Sequence, residues 1–211
     1  MSDHPSRAGS LMLVGGLPAL DFVNTASGRG GPWALEHLKA PAHLVLWAEH
    51  AGVVSAETAA AALDRLPGEE GRAFLRRALE VREAIFRIGT AVTRKDAPLR
   101  ADLFLLKQEA AHALEHADLE AEAGGAFTIR FGDRPPAAIL GPLTQSALSL
   151  FLGGGLERLK QCPAPDCGWL FYDRSKNNSR RWCDMATCGN REKAQRFRAG
   201  EGRGLKAERL D

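Results

Sequence analysis

Apolar side chains recur at three- and four-residue steps over residues 69–94, and this period predicts one long amphipathic helix. The repeating apolar positions are Phe74, Leu75, Ala78, Leu79, Ile85, Phe86, Gly89 and Val92. The same period returns from Pro98 to about Asp118. Because only a short turn at residues 95–97 separates the two runs, we expect a pair of antiparallel helices.

Shorter helices are predicted nearer the amino terminus. Apolar residues over 17–24 indicate a short helix, and Pro41 is placed to begin another one. Ser55 is a candidate N-cap for a third helix, which the Pro67-Gly68 pair ends. Residues 1–10 carry no comparable pattern, and we expect them to be disordered.

The period changes from helical to alternating at Phe127–Phe131, which predicts a β-strand. We expect residues 137–140 to return as its hairpin partner and residues 143–152 to form a further helix. The three glycines at 153–155 then indicate a flexible joint.

The predicted fold class is α+β, mainly α. It consists of a helical domain with one β-hairpin over residues 1–152, a small domain over residues 156–200 and a tail over residues 201–211.

Charge separates the two predicted domains. Residues 158–211 contain 13 Lys and Arg against 7 Asp and Glu, whereas the preceding residues contain 15 against 19. A basic segment on an acidic protein is typical of a surface that faces phosphate. No apolar run approaches the roughly 20 residues that a membrane-spanning helix requires, so we expect no membrane insertion.

All four cysteines lie in the basic segment, as two pairs of equal spacing: Cys162 with Cys167, and Cys183 with Cys188. Such pairs can place four thiolates around one Zn²⁺ ion. Four thiolates fill the tetrahedron and leave no position for water or substrate, so the predicted zinc is structural. Two disulfides in a secreted protein, or an iron–sulfur cluster, are the alternatives. Because thiolates that bind zinc must stay reduced, the zinc assignment predicts that the protein is located in the reducing cytoplasm.

Between the cysteine pairs, Trp169–Tyr172 is a β-type run, and residues 179–182 lead back to the second pair after a turn. We therefore predict a β-hairpin followed by a helix, in the order of a treble-clef zinc finger. Asn190 is the candidate N-cap of that helix.

Side chains that bind phosphates and base edges are concentrated in and before this helix. The candidate nucleic-acid contacts are Arg180, Arg181, Arg191, Lys193, Gln195, Arg196 and Arg198. On a helix, Arg191, Gln195 and Arg198 share one side. The alternative is that the two arginines before the second cysteine pair only brace the finger, by pairing with Asp173 or Asp184, and that the helix carries a merely solvated basic face.

The same residues resemble a known family. Cys-x4-Cys-Gly-Trp-Leu-Phe, then Asp-Arg-Ser, then Arg-Arg-Trp-Cys-x4-Cys-Gly-Asn-Arg-x-Lys-Ala is similar to the CGNR-type zinc finger, which is named for residues 188–191. Upstream, Leu20–Thr25 followed by Leu44–Trp47 resembles the ABATE domain that usually precedes this finger. The resemblance implies zinc ligation by all four cysteines and a bacterial stress-induced transcription regulator.

The predicted function is a zinc-binding transcription regulator that contacts nucleic acid and catalyses no reaction. DNA is favoured over RNA as the nucleic acid, and the sequence leaves that choice open. Because one finger offers a small binding surface, a homodimer could supply the rest. In one alternative, the finger is a protein–protein interaction module. In another, the helical domain binds a small-molecule effector.

Two features of the helical domain leave further alternatives open. Phe22, Trp33, Trp47 and Phe86 could line an effector pocket, although core packing explains such aromatic residues more simply. His112 and His116 lie four residues apart on a predicted helix with Glu115 between them, a spacing that can ligate a metal ion. No third ligand is evident from the sequence, so the simpler interpretation is a pair of surface residues.

Overall fold

The computed structural model describes residues 6–29 and 31–207, with side chains as far as residue 198. The α-helices of this part are α1 (Pro18–Val23), α2 (Pro41–His50), α3 (Ala56–Arg65), α4 (Gly68–Arg94), α5 (Arg100–Glu115), α6 (Ala137–Leu152) and α7 (Asn190–Ala207). Its strands form three antiparallel pairs: β1 (Ala26–Ser27) with β2 (Leu35–Glu36), β3 (Asp118–Ala121) with β4 (Phe127–Arg130), and β5 (Leu159–Gln161) with β6 (Leu170–Tyr172). With 55% helix and 9% strand, the predicted α+β, mainly α class is confirmed.

The two long helices α4 and α5 pack against each other as predicted. Lys95 ends α4 in the left-handed conformation, with a φ of 61°, and so turns the chain back. Two arginines of α4 each hold a buried carboxylate of α5. Arg87 donates through two nitrogens to Asp102, with a closest distance of 2.6 Å, and Arg77 donates through Nε to both oxygens of Glu109, with a closest distance of 2.7 Å. These charge-assisted bonds fix the register of the pair.

Two apolar clusters form the core. The first surrounds Phe22 and Trp47, whose ring centroids lie 5.2 Å apart. The second surrounds Ile85 of α4 and includes Leu159 of β5 and Leu170 of β6. The last hairpin, β5–β6, therefore packs in a core that it shares with the helices.

The β-hairpin of the helical domain differs from the prediction. The partner of β4 is β3, upstream of it, whereas residues 137–140 form the first turn of α6. Pro142 in this helix removes one backbone donor, but an apolar helix face that is buried over its whole length tolerates that loss. At Gly141 a Cβ atom would lie 2.4 Å from the Phe131 ring, so the glycine permits close packing there and does not end a strand.

The amino-terminal segment is also more ordered than predicted. Ala8–Ser10 form a short 3₁₀ helix with Ala8 buried, and the Ser6 hydroxyl donates to the His37 carbonyl at 2.7 Å. Residues 1–5 lie outside the described residues. Among the helices that the structure describes, none combines the length and apolar character of a membrane span.

Candidate metal centre and basic helix

The first cysteine pair lies in the turn of the β5–β6 hairpin. Cys162 follows β5 and donates its backbone N–H to Trp169 at 2.8 Å, while the N–H of Cys167 bonds to Ala164 at 3.0 Å. The predicted return strand at 179–182 is therefore wrong. The cysteine loop itself reverses the chain, so β6 pairs with the strand that precedes this loop.

The second cysteine pair begins the helix that follows. Met185–Gly189 form a π-helical turn that continues into α7, and the Asp184 carboxylate caps it by accepting from the N–H of Thr187 at 2.7 Å. Asn190 is not the N-cap, because the helical backbone already begins before it. The Asn190 side chain instead donates to the Ala186 carbonyl at 3.2 Å.

The four thiols meet in a buried cluster. All four Sγ atoms lie within 4.8 Å of one another, with 3.5 Å between Cys167 and Cys183 and 3.6 Å between Cys183 and Cys188. Sulfurs held at about 2.3 Å from a tetrahedral zinc lie about 3.8 Å apart, which this cluster approaches. All four are free thiols.

The cluster requires a cation for all four groups to ionise. Hydrogen bonding with Cys167 lowers the pKa of Cys162, and hydrogen bonding with Cys162 raises the pKa of both Cys167 and Cys183. One thiolate is thus stabilised at the expense of its neighbours, whereas a central dication can hold four thiolates together. The donor set fits zinc, and these cysteines form a zinc-binding site.

The finger is fixed to the helical body through β6. The Asn24 side chain donates to the Leu170 carbonyl at 2.9 Å and accepts from the Leu170 N–H at 3.1 Å, so it pairs with β6 as a strand would. Gly89 permits α4 to pack closely against β6, because a Cβ there would lie 2.6 Å from a Leu170 methyl group. The Trp169 indole adds a bond to the Ala26 carbonyl at 3.0 Å.

Arg180, a predicted nucleic-acid contact, has its guanidinium engaged inside the molecule. It donates to the carbonyls of Trp182 at 3.0 Å and Val14 at 2.8 Å, and to that of Cys183. The guanidinium also lies 4.4 Å above the Phe171 ring. These contacts indicate that Arg180 braces the finger. This role is the alternative to nucleic-acid contact that the sequence suggests.

Asp173 anchors the same region. Its side chain is fully buried, accepts from Lys160 Nζ at 2.7 Å and from the backbone N–H groups of Ser175 and Arg180, each at 2.8 Å. Burial alone would raise the pKa of Asp173, but the Lys160 and Ser175 bonds outweigh it and hold the pKa well below its usual range. The expected contact between Arg180 and Asp173 thus exists, through the backbone of Arg180. We call β5, β6 and residues 173–180 the hairpin side of the finger.

The helix side of the finger, residues 185–207, is different. Among the side chains that the structure describes, which end at residue 198, no carboxylate pairs with Arg191, Lys193 or Arg198, and all three are exposed. Arg196 pairs with Glu192 at 2.9 Å. The helical period places Arg191, Gln195 and Arg198 together on one side, which we call the outer face of α7. Arg181, before the helix, is also exposed and lies 5.8 Å from the Trp182 ring centroid.

The aromatic pocket considered for an effector does not form. Phe22 and Trp47 are core residues, Trp33 is 80% exposed, and Phe86 lies beneath the Arg29 guanidinium. Arg29 in turn pairs with Glu83 at 2.7 Å. A cavity of about 250 Å³ lies elsewhere, beside the metal cluster at the boundary between body and finger.

Comparison with known proteins gives two family matches. Residues 158–200 match the model described as "CGNR zinc finger". Residues 16–154, more than half of the chain, match the ABATE model, described as "Putative stress-induced transcription regulator". No curated protein matches the chain.

Proposed function

The chain belongs to the ABATE family and carries a CGNR zinc finger, and on that premise we propose that it regulates transcription by contacting DNA through the outer face of α7. The zinc holds the start of this helix through Cys188 and has no open coordination position, so we assign it no catalytic step.

The observation that carries the proposal is the set of cations without carboxylate partners in the described part of α7. Arg191 and Arg198 are exposed on the outer face, and Lys193 flanks them. Arg198 Nε donates to the Ala194 carbonyl at 3.2 Å, which leaves its charge unneutralised. Cations without a carboxylate partner are available to displace counterions from phosphates. Gln195 lies between the two arginines, where its amide could pair with an adenine edge.

The other predicted contacts divide by their surroundings. Arg181 is exposed and joins the proposed surface, whereas Arg196 would first have to leave Glu192. Arg180 supports the finger from within and positions the surface without touching the nucleic acid.

A single exposed helix favours DNA over RNA. The major groove of B-DNA, about 12 Å wide, admits an α-helix, whereas that of A-form RNA is deep and narrow. One helix also buries little surface, so we propose that a second copy of the chain contributes to specific binding.

The test is a titration of the zinc-loaded full chain into a fluorescently labelled random DNA duplex at about 50 and about 200 mM salt. The variant is Arg191→Ala/Arg198→Ala. The matched control is Arg72→Ala/Arg76→Ala, which removes two exposed arginines of α4 that pair with Glu69. Each variant is checked for bound zinc and for helix content.

We expect binding that weakens with salt, and a slope of log affinity against log salt that falls by about 2 in the α7 variant only. Equal losses in the two variants, or no binding of the unaltered chain at low salt, would reject DNA contact by this face.

A protein partner is the second candidate, and the exposed Phe197 favours it. This ring is 69% exposed on α7, away from the outer face. If Phe197→Ala left DNA binding unchanged but abolished binding of a purified regulatory partner, the helix would serve both functions.

A further inference from the structure

The carboxyl-terminal turn of α5 presents three metal-ligating side chains on one exposed face. His112, Glu115 and His116 each have a ligand atom within 4.8 Å of the others. The two imidazole rings lie 5.4 Å apart, edge to face, and His112 Nδ1 lies 3.7 Å from a Glu115 carboxylate oxygen. The helix thus supplies the third donor that the histidine spacing alone does not reveal.

The positions allow all three donors to reach one ion. Residues at steps of three and four lie on the same helix face. A zinc ion with ligands at about 2.0–2.2 Å requires donors that are closer together than they are here. Because all three side chains are at least partly exposed, rotation about their own torsions can close this gap without moving the backbone.

The surroundings add negative charge to these donors. Apart from Glu115 itself, residues 108–129 contain four Asp and Glu and no Lys or Arg. Glu109 and Glu120 are paired with Arg77 and Arg130, so Asp118 and Glu122 are the acidic groups of this segment that add to the charge of Glu115. The site also lies at the carboxyl-terminal end of a 16-residue helix, where the free carbonyl groups attract positive charge.

We infer that His112, Glu115 and His116 bind a divalent transition-metal ion, separate from the zinc of the finger. Two imidazoles and one carboxylate are the donor set of zinc, copper and nickel ions, and solvent completes the coordination. The ion at this exposed site exchanges with solution, whereas the four buried cysteines hold their zinc as part of the fold.

The experiment uses the full chain loaded with one equivalent of Zn²⁺, into which further Zn²⁺ is titrated calorimetrically. We expect a second, weaker equivalent, with affinity lowered at least about tenfold in His112→Ala and in His116→Ala, because each loses one of three donors. Glu115→Gln should weaken binding by a smaller factor. The matched control, His43→Ala, removes an imidazole that lies away from this cluster and should bind like the unaltered chain.

A second readout separates this site from the finger. In NMR spectra, the ring signals of His112 and His116 should shift with the second equivalent, and the signals of residues 183–189 with the first. Absence of a second equivalent, or an unchanged second equivalent in the His112→Ala variant, would overturn the assignment. His112→Ala should keep the fold because α5 gains helix propensity at that position. His116→Ala changes an exposed residue that directly follows the helix, so it should also leave the fold intact.

Discussion

The two sides of the finger share one zinc site but differ in what holds them. On the hairpin side, Leu170 packs in the core of the helical body, and Arg180 and Asp173 have all their strong contacts within the protein. On the helix side, α7 contacts chiefly the π-helical turn before it, and its outer face is exposed. The same residue types, arginine above all, occur on both sides.

This difference separates stability from recognition. A polar group whose partners are internal contributes to the fold, and its loss leaves buried atoms without hydrogen bonds. A cation on an exposed helix contributes little to the fold and remains available to a partner. Substitutions on the hairpin side should therefore alter unfolding, and those on the helix side should alter binding.

Removing zinc should have the largest effect on stability, and it should affect the helix side of the finger more than the hairpin side. Zinc binding to a closed cysteine site contributes on the order of 10–16 kcal/mol in small domains. After chelation, we expect amides of residues 183–198 to lose their protection from hydrogen exchange. Amides of β5 and β6 should keep part of theirs, because Leu159 and Leu170 remain in the body core.

Hydrogen exchange read by mass spectrometry measures both segments in one experiment, with α4 peptides as the internal control. Adding zinc back should restore the protection. A uniform loss over residues 159–198 would show that the hairpin side is not supported by the body.

The sequence predicts the parts of this arrangement that depend on local pattern. The metal site is encoded by two short cysteine spacings, and α4 by an apolar period that recurs over about five turns, from Phe74 to Val92. The contact between Asn24 and Leu170 joins residues 146 apart, and no local pattern indicates it. Arg180 and Arg191 are equally basic in the sequence, and only the carbonyl groups around Arg180 distinguish them.

The misassigned strand has a similar cause. Residues 118–121, which form β3, include two acidic residues and have low β-propensity, so pairing with β4 determines their conformation. Conversely, Gly141-Pro142 resembles a break in the sequence but lies inside α6, where the buried helix face outweighs the proline.

Two adjacent arginines allow the internally bonded and the exposed kind of residue to be compared directly. Arg180→Ala should lower the free energy of unfolding by about 2–4 kcal/mol, because three backbone carbonyls lose a charged donor. Arg181→Ala, one residue further along, should change it by no more than about 0.5 kcal/mol, as is usual for exposed positions. Chemical denaturation with zinc present measures both. Similar values for the two variants would contradict the bracing role.

A smaller effect is expected from pH, through Asp21 beneath the finger. Burial raises the pKa of Asp21 from 3.8 to about 6, although the carboxylate accepts from the Gly15 N–H at 2.7 Å. A folded-state pKa above the unfolded value means that the folded protein takes up a proton first. Through Asp21 alone, stability should therefore rise as pH falls from about 7 to about 4, by about 2 kcal/mol. Burial lowers the pKa of His37, so this group contributes in the opposite direction as pH falls.

The Asp21→Asn variant should lose this rise, and Asp64→Asn, at an exposed position of α3, should retain it. The lowered pKa of Asp173 acts in the opposite direction, but only below its unfolded value of about 4. Denaturation midpoints at several pH values between 4 and 7 give the slope. An unchanged slope in Asp21→Asn would show that another group carries it.

The smallest effect on stability should come from a substitution on the helix side. There we expect the free energy of unfolding to fall slightly or stay the same, while DNA binding becomes tighter. Glu192→Gln removes the 2.9 Å pair with Arg196 and one negative charge from the first turn of α7. The pair and the helix dipole together are worth less than about 1 kcal/mol at an exposed site, so unfolding should change little. DNA binding should tighten, because Arg196 is released and a charge that repels phosphate is lost. Glu69→Gln, which removes the exposed pairs with Arg72 and Arg76 on α4, is the matched control and should leave DNA binding unchanged. Weaker binding by Glu192→Gln would mean that the Glu192–Arg196 pair orders the helix for recognition, and the separation of stability from recognition would then fail on α7 itself.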